Sequence, residues 1–314
     1  MTENRRSYAI GVALIATAAL CWSTAGLIVR GVDAGPWEIT FWRSAFMTLA
    51  MVPILLMRRD QVIADIRAAG WSMVVSGALL AATFILFILA LSHTTVANAL
   101  FVMACAPLLT AVIGRVFFGE PVAAHTWGAI AAAACGVALM VWNSLEAGGL
   151  TGAVLALLVA LFFSINANIV RHNRRISMLP GVFLAGLFSS IVAVPFALPP
   201  TAGGVEIGLL AFLGVVQLGL GLVLFTIGTR TVPAAQAVVI GLLEIVLGPF
   251  WVWLAFGEQP AAIALFGGVI VVAAVIGNAG FGVAAARRAA ARTPAAEALT
   301  NGTSGCPRAC APWG

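Results

Sequence analysis

The sequence predicts an all-α membrane protein, with ten transmembrane helices arranged as two inverted five-helix repeats. Three observations carry that prediction. Of 314 residues, 62% are hydrophobic and only 9% are charged, where soluble domains average roughly 25% charged. The apolar residues gather into long runs punctuated by Arg, Gly and Pro. Short motifs of the first half recur in the same order in the second. Such a composition excludes a disordered chain, a collagen-like repeat, a disulfide scaffold and an ordinary cytosolic enzyme.

A helix crosses a bilayer with about 20 apolar residues, and backbone polar groups in hydrocarbon must pair within the segment. The first run, Tyr8–Val29, follows Arg5 and Arg6 as a signal peptide would. It is longer than the roughly 7–15 residues of a leader's apolar core, so it reads as a retained helix. Trp37–Met57, Trp71–Leu91, Thr95–Phe117 and Val122–Trp142 complete a first unit, residues 1–143. Trp127 and Trp142 bracket the fifth run as interfacial anchors would. Leu150–Val170, Leu179–Leu198, Glu206–Gly228, Ala234–Phe256 and Ala261–Phe281 form a second unit, residues 144–281. Residues 282–314 have no periodic apolar face and read as a disordered cytoplasmic tail.

Sixteen basic and eleven acidic residues leave a net charge of +5, and every basic residue is Arg. The arginines sit in the connectors, which argues for membrane topology rather than a nucleic-acid partner. With the N-terminus inside, the inner connectors hold thirteen Arg and the outer ones only Arg30. Both termini are therefore expected in the cytoplasm, in a bacterial-type inner membrane. Cys21, Cys105 and Cys135 fall within apolar runs, as small hydrophobes. Cys306 and Cys310, in the tail, make a weak zinc signal. Neither a metal nor a cofactor is expected. The chain has no phosphate-binding Gly-Lys loop, no His-Glu-x-x-His motif and no nucleophile elbow, so nothing in it suggests ATP hydrolysis or an enzyme.

Ser23, Ile28, Val29 and Arg30 recur as Ser164, Ile169, Val170 and Arg171, 141 residues later. Phe118-Gly119-Glu120 recurs as Phe256-Gly257-Glu258, and Ala97-Asn98-Ala99 lines up with Ala235-Gln236-Ala237, both 138 residues apart. Five spans per unit is an odd number, so the second unit must lie upside down relative to the first. Inverted repeats of this kind build transporters that rock about a midplane site.

The segments CWSTAGLIVR (Cys21–Arg30), FWRSAF (Phe41–Phe46) and PLLTAVIGRVFFGEP (Pro107–Pro121) resemble the drug/metabolite transporter superfamily, in its EamA-type ten-helix family. So do FFSINANIVRH (Phe162–His172) and LLEIVLGPFWVWLAFGEQP (Leu242–Pro260) in the second half. The likeness covers about residues 8–281. It implies a central cavity lined by the first, third and fourth helices and by the sixth, eighth and ninth. Family members often carry Glu-Pro where this chain has Glu244-Ile245, so a proline-induced break in the ninth helix does not carry over.

An ionisable group at mid-bilayer costs about 2.5–3.5 kcal/mol on insertion scales, which makes it a functional candidate. Glu244 lies near the middle of the ninth run, on a face with Ala237, Gly241, Gly248 and Trp251. An acid there suits proton or amine binding; the alternative is a protonated structural Glu in a packed face. Arg43, two turns into the second run, either snorkels to the outer interface, binds a substrate carboxylate or pairs with Glu244. Gln217, Asn166, Asn168, Ser23 and Thr24 are polar candidates for substrate contact or for interhelical bonding. Asn166 and Asn168 point about 200° apart, so one of them faces packing. Trp22 and Trp251 would supply apolar walls. Asn98 and Gln236, matched by the repeat, are candidate gates at the outer and inner mouths. Gly128, Ala132 and Gly136 in the fifth run, with Ala264 and Gly268 in the tenth, suit close packing within the bundle; a homodimer face is the alternative.

These features point to a secondary transporter, an exporter of small amphipathic metabolites such as amino acids, coupled to protons through Glu244. One alternative is an exporter of drugs and quaternary cations, and another is a non-transporting membrane partner or sensor. With no Lys and one intramembrane Arg, strongly phosphorylated cargo is disfavoured.

Overall fold

The computed structural model describes residues 2–94, 96–141, 150–256 and 262–302. Among the described residues the regular structure is helical throughout. Nine helices among the described residues are long and apolar enough to cross a membrane. In chain order, with the helix between the fourth and sixth counted as the fifth, the first four are Arg6–Val29, Pro36–Met57, Trp71–His93 and Ala99–Phe117. The last five are Leu150–His172, Leu179–Phe196, Gly204–Gly228, Ala234–Ala255 and Leu265–Ala285. The fifth of the expected ten, Ala124–Val141, is shorter and ends at the edge of the described residues.

Two elements depart from the sequence reading. A helix at Arg59–Ala69 fills what reads as a connector. Its Ile63 and Ile66 are exposed beside Arg59 and Asp60, the pattern of a helix lying in the membrane interface. The last helix does not stop near Phe281: it continues to Gly302, so helix stands where disorder is expected for 282–302. The Ala-rich run after Gly282 explains it, because alanine has the highest helix propensity. Residues 303–314, with Cys306 and Cys310, lie outside the described residues. Cys135 is exposed rather than buried.

The inversion of the halves can be read from contacts between matching helices. Along the fifth and tenth helices, the His125 ring neighbours Phe281 while Gly136 meets Gly267 and Val271. As residue numbers rise on one helix they fall on the other, so the pair is antiparallel. The second and seventh helices behave likewise. Ser44 donates to Ser189 at 3.0 Å, and Met47 and Thr48 crowd Gly186. Antiparallel partners at equivalent positions are what an inverted repeat requires. The remaining packing is paired in the same sense. The first helix packs on the eighth and ninth, as the sixth packs on the third and fourth. The second packs on the eighth, as the seventh packs on the third.

Small residues bring these helices close. At Gly136 a side chain would strike the backbone of the tenth helix, so the small-residue stripe serves packing inside the bundle. Gly128, by contrast, faces open space.

Three spans are interrupted. The first breaks at Thr24, between Thr2–Ser23 and Ala25–Arg30. The fourth breaks at Ala104-Cys105, between Val96–Met103 and Ala106–Phe117. The ninth breaks at Leu242, between Ala234–Gly241 and Leu243–Phe256. Ala104 and Leu242 are 138 residues apart, so the last two breaks are repeat-equivalent. The ninth helix breaks although Ile245, not proline, follows Glu244. The eighth is continuous but passes through a π-helical stretch at Leu213–Leu220. Such stretches often mark functional sites.

Candidate functional site

The breaks and the π-helical stretch converge on a central cavity of about 130 Å³. The fourth and ninth helices present Leu100, Met103 and Ala106 opposite Val238, Gly241 and Glu244. Glu244 stands in the first turn of the half-helix that begins at Leu243, where the helix dipole favours negative charge. It is half-buried, and no hydrogen bond or ion pair engages it among the described residues.

Gln217 and Arg43 also line the cavity, and the glycines flanking Gln217 explain why. Gly214 lets the eighth helix lie against the backbone of Arg43 and Met47 on the second. Gly221 receives the indole of Trp22 from the first. One helical face thus seats the arginine on one side of Gln217 and the tryptophan on the other. Gln217 is buried, and its Oε1 has no partner.

Arg43 does not snorkel. It is 1% exposed, and its Nη2 donates to the Phe84 carbonyl of the third helix at 3.0 Å. Its guanidinium carbon lies 5.9 Å from the Phe84 ring centre. Nor does it pair with Glu244, since no ion pair joins them among the described residues.

Trp22 is one corner of an aromatic trio. Its ring centre is 5.9 Å from Phe163 and 5.4 Å from Phe225, which lie 5.3 Å from each other. Trp22 and Phe163 both line the cavity and are 141 residues apart, the spacing of the Ser23–Ser164 repeat. The sequence pattern singles out Trp22 but not Phe163, although the repeat register points to it. Phe84 and Leu80, also lining, carry no polar signal to find them by.

Five other candidates sit away from the cavity. Trp251 donates its indole N–H to Ser23 Oγ at 2.8 Å. The pair joins the first and ninth helices, and neither residue faces the cavity. The break at Leu242 is the physical reason: beyond it the predicted face turns onto the first helix, where Gly248 approaches the Ser23 carbonyl. Asn166 accepts from Ser76 Oγ at 2.6 Å, and so bonds the sixth helix to the third. Asn168 donates to the carbonyls of Thr110 and Ser164. Asn166 thus bonds one helix to another, whereas among the described residues the Asn168 Oδ1 has no partner. Thr24 sits at the break of the first helix and donates to the Cys21 carbonyl at 2.8 Å.

A second, smaller cavity of about 50 Å³ is lined by Thr110, Glu120, Thr126, Asn168 and Gln236. Gln236 is held there from three sides. Tyr8 donates to it at 2.7 Å, its amide reaches His125 at 3.1 Å, and it donates to Thr126 at 3.3 Å. The side chain of its repeat partner, Asn98, lies outside the described residues. Beside this cavity Arg171 forms an ion pair with Glu120 at 2.9 Å and donates to the carbonyls of Thr229 and Arg230. The clamp ties the ends of the fourth and sixth helices to the turn between the eighth and ninth. Gly119, at φ +63°, permits it: its left-handed turn lets the Glu120 amide bond back to the Gly114 carbonyl at 2.9 Å, closing the fourth helix. In the sequence Arg171 and Glu120 are visible only as repeat markers; their pairing comes from the fold.

Comparison with known proteins agrees with this architecture. The chain is similar to the pseudopaline exporter CntI of Pseudomonas aeruginosa strains UCBPP-PA14 and PAO1. In each case it is 28% identical over 274 residues, covering 85% of this chain and 94% of the relative. A solved structure described only as "Crystal structure of protein" shares the fold. Its TM-score is 0.72 at 18% identity, covering 85% of this chain and 96% of the other. The family model described as "EamA-like transporter family" matches twice, at residues 9–142 and 150–279, one match to each inverted half. A multi-pass membrane protein, this chain belongs to the EamA-like transporter family.

Proposed function

We propose that the protein is a proton-coupled exporter of small amphipathic metabolites such as amino acids, working by alternating access in a bacterial inner membrane with both termini cytoplasmic. The observation that carries this reading is Glu244, an unpartnered acid at a helix break inside a cavity flanked by both repeats. An acid so placed binds a proton or a substrate amine at different stages of the cycle. Gln217 orients polar groups of the solute, and Trp22 with Phe163 forms the apolar wall. The activity described for the similar Pseudomonas proteins, export, supports the outward direction. Asn98 and Gln236 act as matched gates.

An exporter of lipophilic cations is the second reading, favoured by the aromatic trio beside an acid. The uncompensated Arg43 in the same cavity counts against it.

The test is flux from proteoliposomes across an imposed pH gradient. The gradient should stimulate wild-type flux at least tenfold, and Glu244→Gln should abolish the stimulation. Flux indifferent to the gradient, or full activity of Glu244→Gln, removes the coupling.

A further inference from the structure

We infer that Arg43 anchors a carboxylate of the transported solute, which presents an anionic end to Arg43 and an amine end to Glu244. The inference rests on the transport reading above and specifies its cargo. Arg43 lines the cavity while only 1% exposed. Among the described residues its Nε has no partner, and its hydrogen bond goes to a neutral carbonyl. Among the described residues no acid pairs with it.

A guanidinium kept from water without a counter-charge is costly. An arriving carboxylate relieves that cost, and the planar fork of Arg holds it by two parallel bonds. Among the described residues Arg43 is also the only cation lining this cavity, which suits a single carboxylate better than a phosphate dianion.

Glu244 supplies the other sign. The two charged groups share one cavity without neutralising each other, so the solute that satisfies both is itself bipolar. Trp22, Phe163 and Leu80 give the same cavity an apolar wall. The complementary cargo is a zwitterion with an apolar side chain, the chemistry of an α-amino acid. A lipophilic cation would leave Arg43 unpaired and add a second positive charge beside it.

Arg43 could instead serve only to tie the second helix to the Phe84 carbonyl of the third. That role would affect every solute alike, and the difference is measurable. Proteoliposomes of the full chain would be loaded with the proteinogenic amino acids together with their decarboxylated amines. Efflux above the leak of protein-free vesicles would be read by mass spectrometry.

Apolar amino acids should leave at least tenfold faster than the matching amines. Arg43→Gln should bring that ratio near one, and Arg43→Lys, which keeps the charge but not the fork, should retain part of it. Amines leaving as fast as amino acids from the wild type overturns the anchor and leaves the transport reading standing. An unchanged ratio in Arg43→Gln, with both rates reduced, assigns Arg43 to packing and overturns it too. If Arg43→Gln does not fold, the wild-type ratio decides. Efflux of neither class overturns both the anchor and the reading beneath it.

Discussion

In the first half of the chain Leu100, Met103 and Ala106 face the central cavity; in the second half Val238, Gly241 and Glu244, each 138 residues later, face it too. Leu80 and Phe84 of the third helix match Leu218 and Leu222 of the eighth at the same spacing. Trp22 and Phe163 meet edge to face at 84°. The halves thus share a frame of apolar and small positions. They differ in charge: Ala106 stands where the second half has Glu244, and the seventh helix, Leu179–Phe196, contains no counterpart of Arg43. Duplicated sequence builds the chamber, and unduplicated sequence gives it chemistry.

The contact where the halves meet is the place to break that frame. Gly136→Val would drive a side chain into the Gly267 carbonyl and the Val271 amide, backbone that cannot rotate away. Overpacking of this kind costs about 1–3 kcal/mol or more. Folded yield in detergent should fall severely, whereas Gly128→Val, at a position facing open space, should leave it near wild type.

The clamp tests whether the two ends of the molecule open separately. Glu120→Gln removes the charge that Arg171 grips. In a cysteine-free background, Thr110→Cys should then react several-fold faster with an impermeant maleimide applied from the cytoplasmic face. Unchanged labelling would show that the clamp does not hold that end closed.

The gates come next. Asn98→Ala and Gln236→Ala should each slow transport a few-fold, with the larger effect at Gln236, which three residues hold in place. If both variants transport normally from either side, the matched-gate idea fails. The smallest effect belongs to Ser23→Ala. It strands the Trp251 indole N–H and should cost about 1 kcal/mol, read as a modest fall in the thermal midpoint with little change in flux.

The sequence made the frame legible because hydropathy, arginine placement and the 138- and 141-residue repeats are all one-dimensional signals. It also named Glu244, Gln217, Trp22 and Arg43, four residues that share the cavity. It could not rank Gln217 above Asn166, because both are amides within apolar helices. What separates them is Ser76, which satisfies Asn166 from the third helix, while nothing bonds the Gln217 Oε1. Trp251 was misplaced for a related reason. A face read at regular helical spacing assumes an unbroken helix; beyond the break at Leu242, Glu244 still meets the cavity while Gly248 and Trp251 turn onto the first helix. Arg43 lacked a spatial cue altogether: only the close approach at Gly214 fixes that the second helix turns it inward.

That break differs from its counterpart in one respect. Beyond Ala104-Cys105 comes Pro107, the repeat equivalent of Ile245, which has no amide hydrogen to give. At Leu242, as at Cys105, the chain is held by three-residue loops: Leu242 bonds to the Val239 carbonyl at 3.2 Å and Ile245 to the Leu242 carbonyl at 3.0 Å, as Cys105 bonds to the Val102 carbonyl at 3.2 Å. Ile245 keeps its donor and is free to exchange that bond for one a residue farther back. Of these two equivalent positions, the one beside the acid keeps the amide hydrogen that an unbroken helix needs, and its twin does not.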